Sequence, residues 1–290
     1  MNKTNNLDYN RILLSDSLYT EYELNDWNFD EIISLLYFVE RSYGSNKIKT
    51  IDSYCPFCEK ETTFISKESD RQEFANVTMT AGYVSNGNGT INKLLVELQK
   101  IGTFQRTFYC PRPESNEAHD FVVLFKLIGT KLIKIGQSPS IADLSKSEIK
   151  KYRVLKDDIY SELNRAIGLS SHGIGVGAFV YLRRIIEKHL LYPALKSKIN
   201  SGAITNEDIV NIDIKTKIDL ASDLLPKFLV ENKKIYSILS KGIHELEESE
   251  CKEHFQILRT AIEIILDEEI EKIEKEKKTR LIERELNKIK

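Results

Sequence analysis

The chain has 290 residues, of which 41% are hydrophobic and 30% charged, enough to bury the cores of two ordinary domains and unlike a disordered or fibrous sequence. Its 42 Lys and Arg nearly balance 44 Asp and Glu, for a formal charge of -2, so no global field draws it to nucleic acid or to an anionic membrane and any such contact has to be local. No apolar run reaches the roughly eighteen residues of a membrane span, and Met1-Asn2-Lys3-Thr4-Asn5-Asn6 is polar with no apolar signal core behind it, so the expected location is the cytoplasm, away from membranes.

The first element is a helix. N-cap chemistry at Asp26 to Glu31 and the apolar stripe Ile32, Ile33, Leu35, Leu36, Phe38 and Val39 predict it to run up to Gly44, which makes residues 1–46 a helical lead-in. Alternation then predicts strands at Lys47–Asp52, Thr62–Ser66, Phe74–Tyr83, Phe104–Cys110, Phe121–Leu127 and Lys131–Ile135, with a short helix at Ile91–Lys100. Turn signals at Ser85-Asn86-Gly87-Asn88-Gly89 and Cys110-Pro111-Arg112-Pro113 separate them.

This β-rich stretch, residues 47–136, carries Cys55-Pro56-Phe57-Cys58 and, further on, Cys110 and His119. In a reducing compartment a Cys-x2-Cys pair is a metal site or a redox pair rather than a structural disulfide. Zinc takes thiolate and imidazole in a closed tetrahedral set, and a Cys-Pro-x-Cys knuckle lets two sulfurs converge from one tight turn whose amides also donate to sulfur. Cys110 and His119, on a turn between two expected strands, supply the second half, as in a zinc ribbon. Fifty-one residues separate Cys58 from Cys110, an insert that strands and a helix can fill. Cys55, Cys58, Cys110 and His119 are therefore expected to hold one structural zinc, with no open position for a catalytic water. The competing reading makes Cys55 and Cys58 a redox pair or idle thiols, and His172 or a water could replace His119.

Gly136-Gln137-Ser138-Pro139-Ser140 breaks the composition, and helical spacing takes over after it. Helices are expected at about Ser145–Gly168, Gly177–Asn200, Ile214–Phe228, Lys233–Leu246 and from Glu250 to the C-terminus, forming an up-and-down bundle over residues 145–266. Residues 267–290 continue as an extended charged helix supported by Glu271 with Lys275 and Glu274 with Lys278. Leu281, Ile282, Leu286 and Ile289 could form a dimer seam on it, and Cys251 reads as a packing residue. The fold class is thus α+β: a small zinc-ribbon-like β domain followed by an α-helical bundle with a long C-terminal helix.

Three features of the helical half could bear chemistry. The glycines of Ser170-Ser171-His172-Gly173-Ile174-Gly175-Val176-Gly177 could cradle a phosphate on free helix amides, but no strand precedes them and no P-loop Lys-Ser/Thr follows, so close helix packing explains them better. Arg184 and His189 resemble in letters the Arg-x4-6-His motif of HEPN ribonucleases, a resemblance that implies a histidine handling the proton of a ribose hydroxyl and an arginine neutralising a phosphate. Five steps at 100° each would set them about 140° apart on a straight helix. Arg183 and Glu187, four apart, face each other better and predict an ion pair. The third feature is Ser240-Lys241-Gly242-Ile243-His244-Glu245.

Together, the zinc knuckle, the segment Phe179-Val180-Tyr181-Leu182-Arg183-Arg184-Ile185-Ile186-Glu187 and a later helix with histidine after glycine resemble the HEPN-like helical domains of bacterial proteins linked to phage defence or restriction. The resemblance covers about half the chain. It implies a dimer and a late-helix histidine, here His244, as acid/base of a metal-independent ribonuclease, with Arg183, Arg184 and Lys241 as phosphate partners. No arginine lies four to six residues before His244, where Ile238, Leu239 and Ser240 stand, and Glu245, Glu247, Glu248 and Glu250 would repel an RNA backbone. The leading expectation is a bacterial defence or stress protein that acts on or senses RNA or nucleotides. The rival is a non-catalytic, zinc-stabilised scaffold or sensor that dimerises and binds a protein partner.

Overall fold

The computed structural model describes residues 7–37, 50–67, 71–82, 91–112 and 118–289. The protein is mixed α+β and divides into two compact units, residues 1–147 with 171–173, and residues 148–170 with 174–290.

The first unit is built on one six-stranded antiparallel sheet. Its strands are β1 (Glu21–Glu23), β2 (Thr50–Cys55), β3 (Lys60–Ser66), β4 (Thr103–Tyr109), β5 (Asp120–Ile128) and β6 (Lys131–Ser138), in the order β1-β6-β5-β4-β3-β2. Alternation selects the buried face: Phe104, Arg106 and Phe108 of β4 and Phe121, Val123, Phe125 and Leu127 of β5 point into the core. The long β4–β5 and β5–β6 ladders contrast with β3–β4, where the register covers only Ile65↔Tyr109 and Ser66↔Phe108. The segment before residue 47 joins this unit directly, because β1 pairs with β6 through Glu21↔Ile133 and Glu23↔Lys131.

Helices α1 (Phe29–Leu36), α2 (Arg71–Thr80) and α3 (Ile91–Ile101) accompany the sheet. Asn28 and Glu31 close a capping box on α1, with bonds of 2.8 and 2.9 Å. The helix expected to run to Gly44 stops at Leu36, because Tyr37 turns extended, sets its ring against Phe74 and Phe104, and donates its hydroxyl to Glu73 at 2.8 Å. Phe38 to Lys49, the Ser85–Gly89 turn and Pro113 lie outside the described residues. The strand expected at Phe74–Tyr83 is instead α2. Phe74, Val77 and Ala81 bury a stripe at helical spacing, and the Thr78 hydroxyl bonds back to the Phe74 carbonyl at 2.8 Å, so tertiary burial overrides the β-branched letters.

One buried cation is satisfied by backbone alone. Lys134 Nζ donates to the carbonyls of Ile12, Leu13 and Asp16 at 3.0, 3.3 and 2.7 Å. Burial lowers its pKa to about 8.

After the short helices α4 (Ile141–Leu144) and α5 (Lys146–Ile149), a 3-10 turn over Lys150–Val154 leads into α6 (Asp157–Ser171). The single helix expected over Ser145–Gly168 is therefore broken ahead of Asp157. Helix α7 (Gly175–Arg184), a π-helical stretch Ile185–Leu191 and α8 (Tyr192–Asn200) follow without interruption. Pro226, extended at ψ 134, splits the helix expected at Ile214–Phe228 into α9 (Ile214–Leu220) and α10 (Lys227–Glu231). Helices α11 (Lys234–His244) and α12 (Glu248–Leu286) complete the second unit. At 39 residues, α12 is long, and its fully buried side chains end at Leu266. No helix among the described residues is long and apolar enough to cross a membrane.

Glycines set how closely α7, α11 and α12 approach. A Cβ on Gly242 would stand 2.2 Å from the Phe179 ring, and one on Gly175 would stand 2.8 Å from Cys251 Cβ. Phe179 and Cys251 are both fully buried and cannot yield. Gly242→Ala is therefore expected to destabilise the second unit by about 1–3 kcal/mol from overpacking, even after the gain of roughly 1 kcal/mol in helix propensity. Urea unfolding should show a lower midpoint at unchanged slope.

Candidate functional site

The strongest candidate is a cluster of metal-ligating side chains at one end of the sheet. β2 ends on Cys55, which pairs with Lys60 at the start of β3, so Pro56 to Glu59 form the hairpin turn. Glu59 takes a left-handed φ of 51° to close it. The folded turn aims the backbone amides of Cys58 and Phe57 at the Cys55 sulfur. Across the sheet, the Cys110 amide donates to the His119 carbonyl at 2.9 Å, which sets the residue after β4 beside the residue before β5. Cys110 Sγ receives the Arg112 amide and lies 3.7 Å from Thr62 Oγ1. Both half-sites therefore present a sulfur cradled by amides.

The four ligand atoms of Cys55, Cys58, Cys110 and His119 all lie within 4.8 Å of one another. Cys55 Sγ is 4.0 Å from His119 Nδ1, and Cys58 Sγ is 4.0 Å from Cys110 Sγ. A tetrahedral site with metal–sulfur bonds of about 2.3 Å has edges of roughly 3.8 Å, so the two 4.0 Å pairs are within a few tenths of an ångström of coordination and the widest separation would close by at most about 1 Å. The arrangement is compatible with a metal ion. Cys55 and Cys110 are buried, and the exposed ring of Phe57 stacks on His119 at 5.3 Å. His172 is not among the converging groups; it lies 3.3 Å from Ser171.

The surroundings act differently on the two buried thiols. Burial pushes Cys55 up to about 11, only partly offset by the Cys58 and Phe57 amides. Burial also raises Cys110, but the Arg112 amide and the Thr62 hydroxyl, with the neighbouring thiols, bring it below its ordinary value. A bound cation would supply the missing positive charge.

In the second unit the sequence-selected groups meet carboxylates. Arg183 Nε donates to Glu187 Oε1 at 3.0 Å, the expected ion pair, and Tyr236 donates to the same oxygen at 2.5 Å. Arg184 Nη2 reaches Glu162 Oε1 at 2.9 Å, while His189 Nε2 reaches Glu162 Oε2 at 3.1 Å. The 140° separation expected of Arg184 and His189 on a straight helix is thus corrected: a π-helical turn closes near every fifth residue and brings the two side chains to one carboxylate. Burial holds the His189 imidazole below its ordinary pKa, with Glu162 pulling the other way. Lys241 Nζ lies 3.9 Å from Glu245. His244 closes α11, and its side chain lies outside the described atoms.

The first amides of α7 are not open to a phosphate. The Glu248 carboxylate accepts from the amides of Gly175 and Val176 at the start of α7. Sequence reasoning missed Glu162, and it placed Glu248 only in an acidic cluster, not at the start of α7. Glu162 did carry a signal: it sits among Ile159, Leu163 and Ala166 on the buried stripe of α6, where a carboxylate has to find partners.

No family model, curated protein or solved structure matches this chain.

Proposed function

We propose that this protein is a non-catalytic scaffold or sensor. In this reading a structural zinc holds the first unit in a zinc-ribbon-like arrangement, and a HEPN-like second unit dimerises and binds a protein partner in bacterial defence or stress. The donor set of three thiolates and one imidazole suits zinc, and the four residues leave no position for a catalytic water. When bound, the ion would cross-link the two hairpin ends.

One observation carries the non-catalytic reading. Arg183, Arg184, His189 and Lys241 each lie against a carboxylate of their own unit, Glu187, Glu162, Glu162 and Glu245 respectively. A phosphate would have to displace those carboxylates before it met a cation. Helix α12 meanwhile offers apolar surface for association. Ile257 and Ile264 are exposed beside Phe228 in a shallow recess, and Leu281, Ile282 and Leu286 are exposed further along.

A second reading, action on RNA or nucleotides, draws support from the π turn that brings Arg184 and His189 together on Glu162. The two readings separate when total RNA is incubated in EDTA with the protein and with its His189→Ala and His244→Ala variants, and fragments are read for 2′,3′-cyclic phosphate ends. Intact RNA throughout, with a dimer by light scattering, is the expected result. Cleavage by the parent protein that either variant loses would overturn the scaffold reading.

A further inference from the structure

Arg106 is the largest fully buried side chain among the described residues, at 1% exposure. Among the described residues it has no carboxylate partner. Its Nη2 donates to Ser66 Oγ at 3.0 Å, and its guanidinium lies 5.3 Å from the Phe108 ring. Nε and Nη1 make no hydrogen bond. Burial drags its pKa down to about 10, with Tyr9 acting weakly in the opposite direction. A guanidinium taken out of water without a counter-charge is strongly disfavoured, and neutral hydrogen-bond partners do not offset the charge. Lys134 shows the contrast, since three carbonyls surround its ammonium.

Further unpaired polar atoms share the Arg106 face. The register aligns Arg106 with Val123 and Val123 with Gln137, so the three form one row across β4, β5 and β6. Directly opposed residues of an antiparallel sheet project to the same side, and neighbouring strands lie about 4.8 Å apart. Arg106 and Gln137 thus flank Val123 at roughly 10 Å between Cα atoms, within reach of two long side chains. Gln137 Oε1 and Nε2 are buried and unpaired, and so is Tyr9 Oη, which lies near Ser34 without a hydrogen bond of normal geometry.

We propose that Arg106, Gln137 and Tyr9 form a closed binding site for one small oxyanion, of phosphate or simple carboxylate size, on the buried face of the sheet. The ligand supplies the negative charge that Arg106 lacks and accepts from the guanidinium, the Gln137 amide and the Tyr9 hydroxyl. Its size is bounded by Val123 within the row and by Phe104 and Phe108, which flank Arg106 on the same buried face of β4. The site is separate from the cysteine cluster and does not depend on the proposed function.

The test refolds the full-length protein from urea with zinc, in sodium gluconate, an anion too large to enter, to strip any ligand carried from the cell. Phosphate, sulfate, nitrate or acetate is then titrated at constant ionic strength while the unfolding temperature is read. A saturable rise of several degrees with at least one small anion is expected, absent in Arg106→Met and shifted to at least tenfold higher concentration in Gln137→Leu. A response to phosphate and sulfate alone assigns a tetrahedral ligand, and one to acetate alone assigns a carboxylate. Superimposable curves for all anions in the parent protein would overturn the proposal, as would a response that Arg106→Met retains. Should Arg106→Met fail to fold, the parent titration and Gln137→Leu decide: a Gln137→Leu midpoint equal to the parent's rejects the site.

Discussion

Cys110→Ala is expected to lose one bound zinc per chain and to lower the unfolding temperature of the first unit by about 10 °C or more. Structural zinc contributes about 10–16 kcal/mol in small zinc-dependent peptides. This unit has a core of its own, with Phe64, Phe108, Phe121 and Phe125 fully buried, so only part of that stabilisation is at stake. A loss of about 3–5 kcal/mol corresponds to a shift of that size in a unit this large. Cys110 is the informative position because it is buried and its sulfur sits with those of Cys55 and Cys58 and the His119 imidazole. Cys251→Ser serves as the control: that thiol lies in the second unit, 3.5 Å from the Gly242 carbonyl, and should leave zinc content unchanged. Elemental analysis together with calorimetry reads both quantities. A parent protein that retains full stability after its metal is removed would contradict the expectation.

Glu162→Ala is expected to cost the second unit about 1–3 kcal/mol, the range for leaving a buried hydrogen-bonding group without its partner. The carboxylate is 5% exposed and receives Arg184 and His189, with Lys188 at 3.7 Å. Arg184 and Lys188 can turn to water, but His189, at 3% exposure, cannot. Replacing both buried partners should therefore recover most of the loss, and Glu162→Met with His189→Leu is the pair to make. Chemical denaturation of the single and double variants measures the coupling. The same pair predicts a pH dependence. Folding lowers the His189 pKa below its ordinary 6.5, so the unfolded chain binds that proton more readily. The stability due to neutral His189 is complete above about 6.5 and declines as pH falls toward the folded value. That part of the acid sensitivity should vanish in the double variant. A double variant that folds stably yet loses any RNA cleavage seen in the parent would restore the catalytic reading.

Parts of this structure were legible in the residues. Cys55-x2-Cys58 with Cys110 and His119 could be selected as a set because thiols and imidazoles at such spacings have few other uses in a reducing compartment. Strands β4 to β6 alternate cleanly, and their predicted bounds lie within a few residues of those observed. Strand β1 was not legible: three residues, two of them glutamates, carry no period, and only pairing with β6 makes them a strand. Helix α2 misled because Val77 and Thr78 favour a strand locally while its apolar residues obey helical spacing. The π-helical turn leaves no local signature, so the angle between Arg184 and His189 could not be read from a count of residues. The role of Glu162 depends on α6 and on that turn together, a tertiary relation that no single segment contains.

The short seam between β3 and β4 bears on how the sheet breathes. Among the described residues, two registered pairs and the bond from the Lys67 amide to the Thr107 carbonyl, 2.8 Å, join the β2–β3 hairpin to the rest of the ladder, and the cysteine cluster spans the same junction from the hairpin's tip. That hairpin is the natural candidate for an independent opening unit. Amides of Ile51 to Tyr54 and Thr62 to Ile65 should exchange with deuterium far sooner than those of Val123 or Phe125 once the ion is withdrawn, and nearly in step with them while it is bound. The ion would then govern which backbone groups open together, over and above the stability that it lends the unit as a whole.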